Sequence, residues 1–464
     1  MKISLSILLL LSALGQLAAA TSTAEFPTGT VVPRVTCLDD VNQSYALYLP
    51  ATFTAKQPWP VIYVFDPFAR GDSAAKVVQA AAEKFGYIVV ASNNSKNGPF
   101  GGSREAAGAI WKDTHERLPI DPKRQYFGGL SGGARVATSL AISCQCAAGV
   151  VANAAGFPTG KGPSASSQFA YFATVGNADF NYAEFAQLRP KLDSTGMHYV
   201  IRVFDGPHGW APADVWLEAL EWLDIQAMIT GTLARDPVRM QTVVDVTMAR
   251  ASRFEATGNV LAAYREYQAI VRNFTGLSQV SAALARISET EKSKSLKTAE
   301  KREAADLDLQ GRLEAAASEK MAALPDGETD EMAFRELQSS FADLKRQSAS
   351  DDRDSLIRRR ALSGLVVQAY ESGQNSMDGK NYSVALRYFD LAATGSANPA
   401  WAYYQRARIY AITSEKKSML SEIRKCIAAG VHDPSALDAE EFRRYRDDRE
   451  FHSLLEEWKM KADP

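Results

Sequence analysis

Hydrophobic and polar positions alternate along this chain in two different patterns. From residue 36 to about 228, short apolar runs are separated by longer amphipathic stretches. The runs are Tyr45–Leu49, Val61–Phe65, Tyr87–Ala91, Gln125–Phe127, Gly149–Ala152, Ala170–Val175 and Tyr199–Phe204. Most are apolar at successive positions rather than alternate ones, as in strands buried on both faces of a parallel sheet. Between them, Ser73–Lys84, Arg104–Arg117, Gly132–Ser143, Ala183–Ser194 and Ala213–Met228 carry helical periodicity. Regular strand–helix alternation predicts a doubly wound, mostly parallel α/β sheet.

After about Leu233 the strand signal ends, proline thins out and helical periodicity takes over. Two segments resemble each other: Gly258-Asn-Val260-Leu-Ala-Ala263-Tyr-Arg-Glu-Tyr267 and Gly379-Lys-Asn-Tyr382-Ser-Val-Ala385-Leu-Arg-Tyr-Phe389. In each, alanine allows close helix approach and an aromatic four residues on fills the adjoining groove. Tyr403, Ala407 and Tyr410 lie at helical spacing, and Pro434–Trp458 reads as closing helices. Ser288–Met321 is rich in Lys, Glu and Ala and predicts one long charged helix ended by Leu324-Pro325-Asp326-Gly327. The expected division is a leader over 1–20, an α/β domain over 21–230 and an all-α, repeat-like domain over 231–464.

Composition narrows the setting. Lys2, the apolar run Ile3–Leu11 and Ala18-Ala19-Ala20 have the form of a cleavable export signal, so the mature chain is expected outside the cytoplasm, secreted or periplasmic. Beyond it, no segment has the apolar length of a membrane span. Lys+Arg total 52 against 54 Asp+Glu, a balance that does not suggest a nucleic-acid surface. Of the four cysteines, Cys144 and Cys146 stand too close for an easy mutual bridge, which leaves Cys37 with one of them as the open pairing. Cys426 is expected in a helix. No metal-ligand spacing is present, and no metal or organic cofactor is expected.

The most specific motif is Gly129-Leu130-Ser131-Gly132-Gly133, a G-x-S-x-G between a strand-like run and a small-residue helix. That setting makes a serine a nucleophile at a tight strand-to-helix turn. The turn needs positions without side chains, and the three glycines supply them. A serine hydroxyl also needs a base, and the base an orienting acid. Of five histidines, only His208, in Asp205-Gly206-Pro207-His208-Gly209-Trp210, follows the C-terminal end of a strand. Asp179, in the turn Gly176-Asn177-Ala178-Asp179 after the preceding strand, is the expected acid, and Asp205 is its rival. The backbone N–H of Gly132 is one expected oxyanion donor. A second is expected from the loop Asp66-Pro67-Phe68-Ala69-Arg70; Pro67 has no N–H, so Phe68 takes that role. Arg70 is a candidate anchor of this loop or contact for an acidic substrate group. Phe157, Phe180 and Trp210, with Phe68, are candidate walls of an apolar acyl pocket.

On the elbow, the G-x-x-D turn and the Gly-Pro-His-Gly loop, residues 36–228 resemble α/β-hydrolases of the compact esterase type, similar to carboxylesterases and dienelactone hydrolases. The resemblance implies a Ser131–Asp179–His208 triad and a small-molecule ester substrate. The chain departs from that pattern in lacking a His-Gly pair in the loop after Phe65. The C-terminal half resembles tetratricopeptide-repeat proteins more loosely, which implies a surface for a protein partner. A serine peptidase or amidase on the same fold, and a repeat-based binding scaffold with an inactive hydrolase half, are the rival readings. Asn153–Gln168 is too short for a lid domain, so the site is expected to be open unless the helical half folds over it.

Overall fold

The computed structural model describes residues 26–324, 331–430 and 434–462. The expected leader, His432 and the Pro325-Asp326-Gly327 helix stop lie outside the described residues. The sheet has eight strands: β1 (Val31–Thr36), β2 (Ser44–Tyr48), β3 (Trp59–Phe65), β4 (Ile88–Ser92), β5 (Ile120–Leu130), β6 (Gly149–Asn153), β7 (Ala170–Gly176) and β8 (Tyr199–Phe204). Their order is β1-β2-β4-β3-β5-β6-β7-β8. Both pairings of β2 are antiparallel, and all pairings from β4 onward through β8 are parallel.

The continuous apolar runs are explained by burial on both sides. Every residue of β3, β6 and β7 is buried. On one face lie α2 (Phe100–Arg117), α3 (Gly132–Cys144) and α4 (Tyr182–Asp193), whose Ile110, Ala137 and Leu188 join a core with Tyr63, Phe127 and Tyr171. On the other face, α1 (Gly71–Phe85) and α5 (Ala213–Ile229) supply Val78, Trp216 and Leu220 against Ile62, Tyr126 and Phe172. β1 is a strand that the hydrophobic pattern does not announce. It contains Pro33 and Arg34, residues that fit only an edge strand, and its register shifts between Val32 and Val35 around them.

Among the described residues ten α-helices follow: α6 (Pro237–Ala256), α7 (Val260–Phe274), α8 (Ser281–Glu291), α9 (Lys294–Ala322), α10 (Glu331–Ser348), α11 (Ser355–Asp378), α12 (Tyr382–Gly395), α13 (Ala400–Ile412), α14 (Lys416–Ala428) and α15 (Arg449–Ala462). Short 3-10 turns at Pro434–Asp438 and Glu440–Tyr445 precede the last. The two similar segments form α7 and α12, each packed on the helix before it, α6 and α11. Asp236 caps α6 by accepting from the Arg239 N–H, with Pro237 in the first turn. Asn259 caps α7 in the same way, through the Ala262 N–H.

Two expectations are corrected. The single charged helix over 288–321 is two helices, α8 and α9, because Ser293 leaves the helical conformation and caps a new start at the Leu296 N–H. Cys144 and Cys146 are bridged to each other. Gln145 between them takes a left-handed backbone (φ 53°), which turns the chain and brings their Cα atoms to 5.1 Å, within bridging range. Cys37 is buried and unpaired, and burial pushes its thiol up to about 11, the state of an inert thiol. Cys426 is also buried and unpaired, in α14.

Candidate active site

The candidate residues lie at the C-terminal ends of parallel strands, where open α/β sheets build their sites. Ser131 follows β5 and opens α3 with φ 52° and ψ −119°, a conformation sparsely populated by non-glycine residues. Its N–H donates to the Asn153 carbonyl at the end of the neighbouring β6 (2.8 Å), which pins the turn to the sheet. A Cβ on Gly133 would overlap the Phe65 carbonyl oxygen, so glycine is required for α3 to start this close to β3. As the first residue of α3, Gly132 has no carbonyl one turn back for its N–H.

Asp179 and His208 come from the turns after β7 and β8, and backbone bonds stitch those turns together. Asn177 N–H donates to Phe204 O (2.8 Å), Ala178 N–H to Gly206 O (2.9 Å), and Gly206 N–H to Asn177 Oδ1 (3.1 Å). A Cβ on Gly176 would overlap the carbonyl oxygens of Gly206 and Pro207, so this approach also requires glycine. The result is a hydrogen bond of 2.9 Å between His208 Nδ1 and Asp179 Oδ1. Asp179 is fully buried, and its Oδ1 also accepts the Asn181 N–H (2.8 Å). Its Oδ2 is buried and has no hydrogen-bond partner among the described residues. The rival Asp205 faces away and accepts from Asn177 Nδ2 (2.8 Å).

The remaining histidines with described side chains are elsewhere. His115 packs at a tilt against Trp111, with centroids 3.9 Å apart, and bonds its carbonyl (2.7 Å). His198 precedes β8, and burial lowers its imidazole below the ordinary range. His452 is exposed on α15. Among the described residues, no group of three His, Cys, Asp or Glu is placed to hold a metal ion, and no helix is long and apolar enough to cross a membrane.

The surrounding expectations divide. Phe180 stacks on the His208 ring with centroids 4.2 Å apart. Trp210 lies half-buried beside Trp216, at 6.1 Å. Phe157 is only 6% exposed and packs on Tyr171 (4.9 Å), so it is a core residue and not a pocket wall. The Phe68 N–H donates to Asp66 Oδ1 (2.8 Å), so it is occupied rather than free for an oxyanion. Arg70 anchors the same carboxylate through Nε and Nη2, both at 2.9 Å, and its guanidinium also lies over the Phe68 ring. The Phe68 ring itself is 64% exposed.

Sequence reasoning missed Asn97. The loop after β4 pairs with the loop after β3, through a bridge between Phe68 and Lys96 and a bond from Asn97 N–H to Pro67 O (2.8 Å). That pairing lays the Asn97 side-chain amide directly against Gly132, where it occupies the space a Cβ would need. The only signal in the sequence was its place in a polar loop, Asn93–Gly98, after a central strand.

An antiparallel first strand pair, a parallel remainder, a strained serine turn after β5 and an Asp–His pair after β7 and β8 together decide the architecture. The sheet-bearing half has the α/β-hydrolase fold. No protein-family model and no curated protein sequence matches the chain. Solved structures similar to its N-terminal part include a fluorophosphonate-binding serine hydrolase of Staphylococcus aureus (12% identity, 40% of this chain and 92% of that one, TM-score 0.32). An esterase of Pyrobaculum calidifontis is similar at 16% identity over 44% of this chain and 87% of its own, with a TM-score of 0.35. An S-formylglutathione hydrolase of Agrobacterium tumefaciens is similar at 15% identity, 39% and 88% coverage, and a TM-score of 0.33.

Proposed function

We propose that this protein is an exported serine hydrolase that cleaves carboxylic esters through an acyl-serine. The observation that carries the reading is the 2.9 Å Asp179–His208 bond, formed at the C-terminal ends of β7 and β8, on the same edge of the sheet as the strained Ser131 turn after β5. In this reading Asp179 keeps the proton on His208 Nδ1, which leaves Nε2 as a base. Nε2 takes the Ser131 hydroxyl proton as Oγ attacks the ester carbonyl. The carbonyl π electrons move to oxygen, and the Gly132 N–H donates to the resulting oxyanion. The Asn97 amide, turned so that its NH2 faces the same point, is the second donor; the two ends of an amide exchange by a simple flip. His208 then gives its proton to the leaving alkoxide. Water, deprotonated by His208, adds to the acyl-serine and releases the acid. The half-buried Phe180, stacked on His208, supports an apolar acyl or aryl group in the substrate. Export of the mature chain is proposed on the N-terminal leader pattern alone.

The test is turnover of p-nitrophenyl acetate and covalent labelling by a fluorophosphonate. Ser131→Ala is expected to lose labelling completely and to lower kcat by at least about 10³-fold. An unlabelled wild type, or a Ser131→Ala protein that still turns over ester, removes the mechanism.

A further inference from the structure

Between β7 and α4 the chain makes the turn Asn177–Asn181, which presents Asp179. Two of its carbonyl groups, on either side of Asp179, are held from the helical half. Arg360 Nε of α11 donates to Asn177 O (2.5 Å), and Gln310 Nε2 of α9 donates to Phe180 O (2.9 Å). Both donors are buried, Gln310 to 1% and Arg360 to 6% exposure. The Arg360 guanidinium also lies 3.6 Å from the centroid of the Tyr182 ring, one residue past the turn. Gly364 of α11 brings its helix flush against Phe180: a Cβ there would be 3.2 Å from Phe180 Cβ. The ring of Phe180 in turn stacks on His208.

Burying a guanidinium is costly unless it is paired. Among the described residues Arg360 forms no ion pair within 4 Å, and its buried contacts are a carbonyl and an aromatic face. Burial lowers its proton affinity accordingly. Asp179, for its part, is oriented by few bonds of its own. Its Oδ1 has Asn181 N–H and His208, and its Oδ2 has no hydrogen-bond partner among the described residues. Its placement therefore depends on where the turn sits, and the turn is held both by bonds within the sheet half, to the β8 turn and to Ala154 O, and by the two helical donors.

We infer that the helical half completes the hydrolase site, with Gln310 and Arg360 acting as positioning residues that hold Asp179 and Phe180 against His208. The inference rests on the hydrolase reading for its catalytic consequence, but not for its geometry. A triad displaced by about 1 Å loses roughly 10²-fold in rate while the binding surface stays in place. The loss therefore falls on kcat and not on KM.

The experiment uses the full-length mature protein with Gln310→Met, which keeps side-chain length, and Arg360→Met, which keeps an unbranched apolar stem; both remove the donors. Arg360→Lys returns a donor and charge, and Leu337→Ala in the core of α10 is a stability control. Two quantities are read: kinetics on p-nitrophenyl acetate, and the low-field proton resonance of the His208–Asp179 hydrogen bond. We expect kcat to fall about 10- to 100-fold in each Met variant with KM within about twofold. The resonance should broaden or move upfield. Arg360→Lys should recover part of both, and Leu337→Ala should change neither at a temperature where it is folded. Met variants with wild-type kcat and an unmoved resonance overturn the inference. If the wild type lacks ester turnover, the hydrolase reading fails separately, and the resonance alone decides the positioning role. Should Arg360→Met not fold, Gln310→Met removes a single amide and reads the same resonance.

Discussion

Ser131 holds a backbone conformation (φ 52°) that costs a non-glycine residue on the order of 1–3 kcal/mol, and the glycines around it exist to make that turn fit. This is why the positions of Ser131, Asp179 and His208 at strand ends were readable from residue types. Each must stand at a strand's C-terminal end, and glycine must flank it where backbones nearly touch. Phe68 and Phe157 were misjudged for the opposite reason. Whether an N–H is free or a ring is covered depends on partners distant in sequence, such as Tyr171 for Phe157, or on local turn bonds that motif matching ignores. Asn97 was invisible because its position over Gly132 arises only when two loops pair. That assignment can be tested directly, since a side-chain donor can be removed where a backbone donor cannot. Asn97→Ala should lower kcat on p-nitrophenyl acetate about 10²-fold with little change in KM or melting temperature. Unchanged kcat would leave Gly132 without this partner.

At the scale of elements, the joint between sheet and helices is ionic. Arg202 on β8 and Arg250 on α6 share the carboxylates of Glu218 on α5 and Glu266 on α7, so four elements meet in one network. Arg202 is 7% exposed and Glu266 8%, so neither carboxylate contact is a surface pair. Removing one partner leaves buried charge uncompensated, which typically costs about 3–5 kcal/mol. Arg202→Leu should therefore lower unfolding free energy by about that amount in urea titration. Arg250→Leu should cost less, because its side chain is 19% exposed against 9% for Arg202. Equal and small losses in both would mean the network contributes little. The strands and helices themselves were legible because period and length separate them. The break at Ser293 was not, since one serine in a charged run carries a cap signal only once the Leu296 N–H is known to lack a helical partner. Nor was the Cys144–Cys146 bridge, which needs the left-handed Gln145.

Considered whole, the molecule joins its halves at a polar seam beside the candidate site, and that seam should respond to acid. Glu303 on α9 accepts hydrogen bonds from Arg265 on α7 (2.8 and 2.5 Å) and from the Tyr182 hydroxyl (3.2 Å) on α4. Burial alone would raise its carboxyl, but the Arg265 bonds and charge outweigh burial and hold it below the ordinary range. Glu314, farther along α9 and close to Gly364, is raised instead, because burial outweighs the single bond from Gln310. The two groups act with opposite sign. A depressed folded value means that Glu303 contributes stability above its unfolded pKa, about 4.3, and loses it as pH falls through the folded value. A raised folded value means that Glu314 favours the folded state as pH falls toward and below the ordinary range. From neutral pH down to about 5 the seam should therefore hold or tighten slightly, and below about 4 it should loosen. Hydrogen exchange in α4 and α9, corrected for the intrinsic pH dependence, measures this as protection that is level or slightly higher to about pH 5 and falls below about pH 4. Glu303→Gln keeps the side-chain shape and removes the titration. In that variant, protection at pH 7 should be lower than in wild type and the fall below pH 4 should flatten. A fall of the same size in Glu303→Gln would assign the acid response to other carboxylates and remove Glu303 as the group that makes the seam between α4 and the helical half respond to acid.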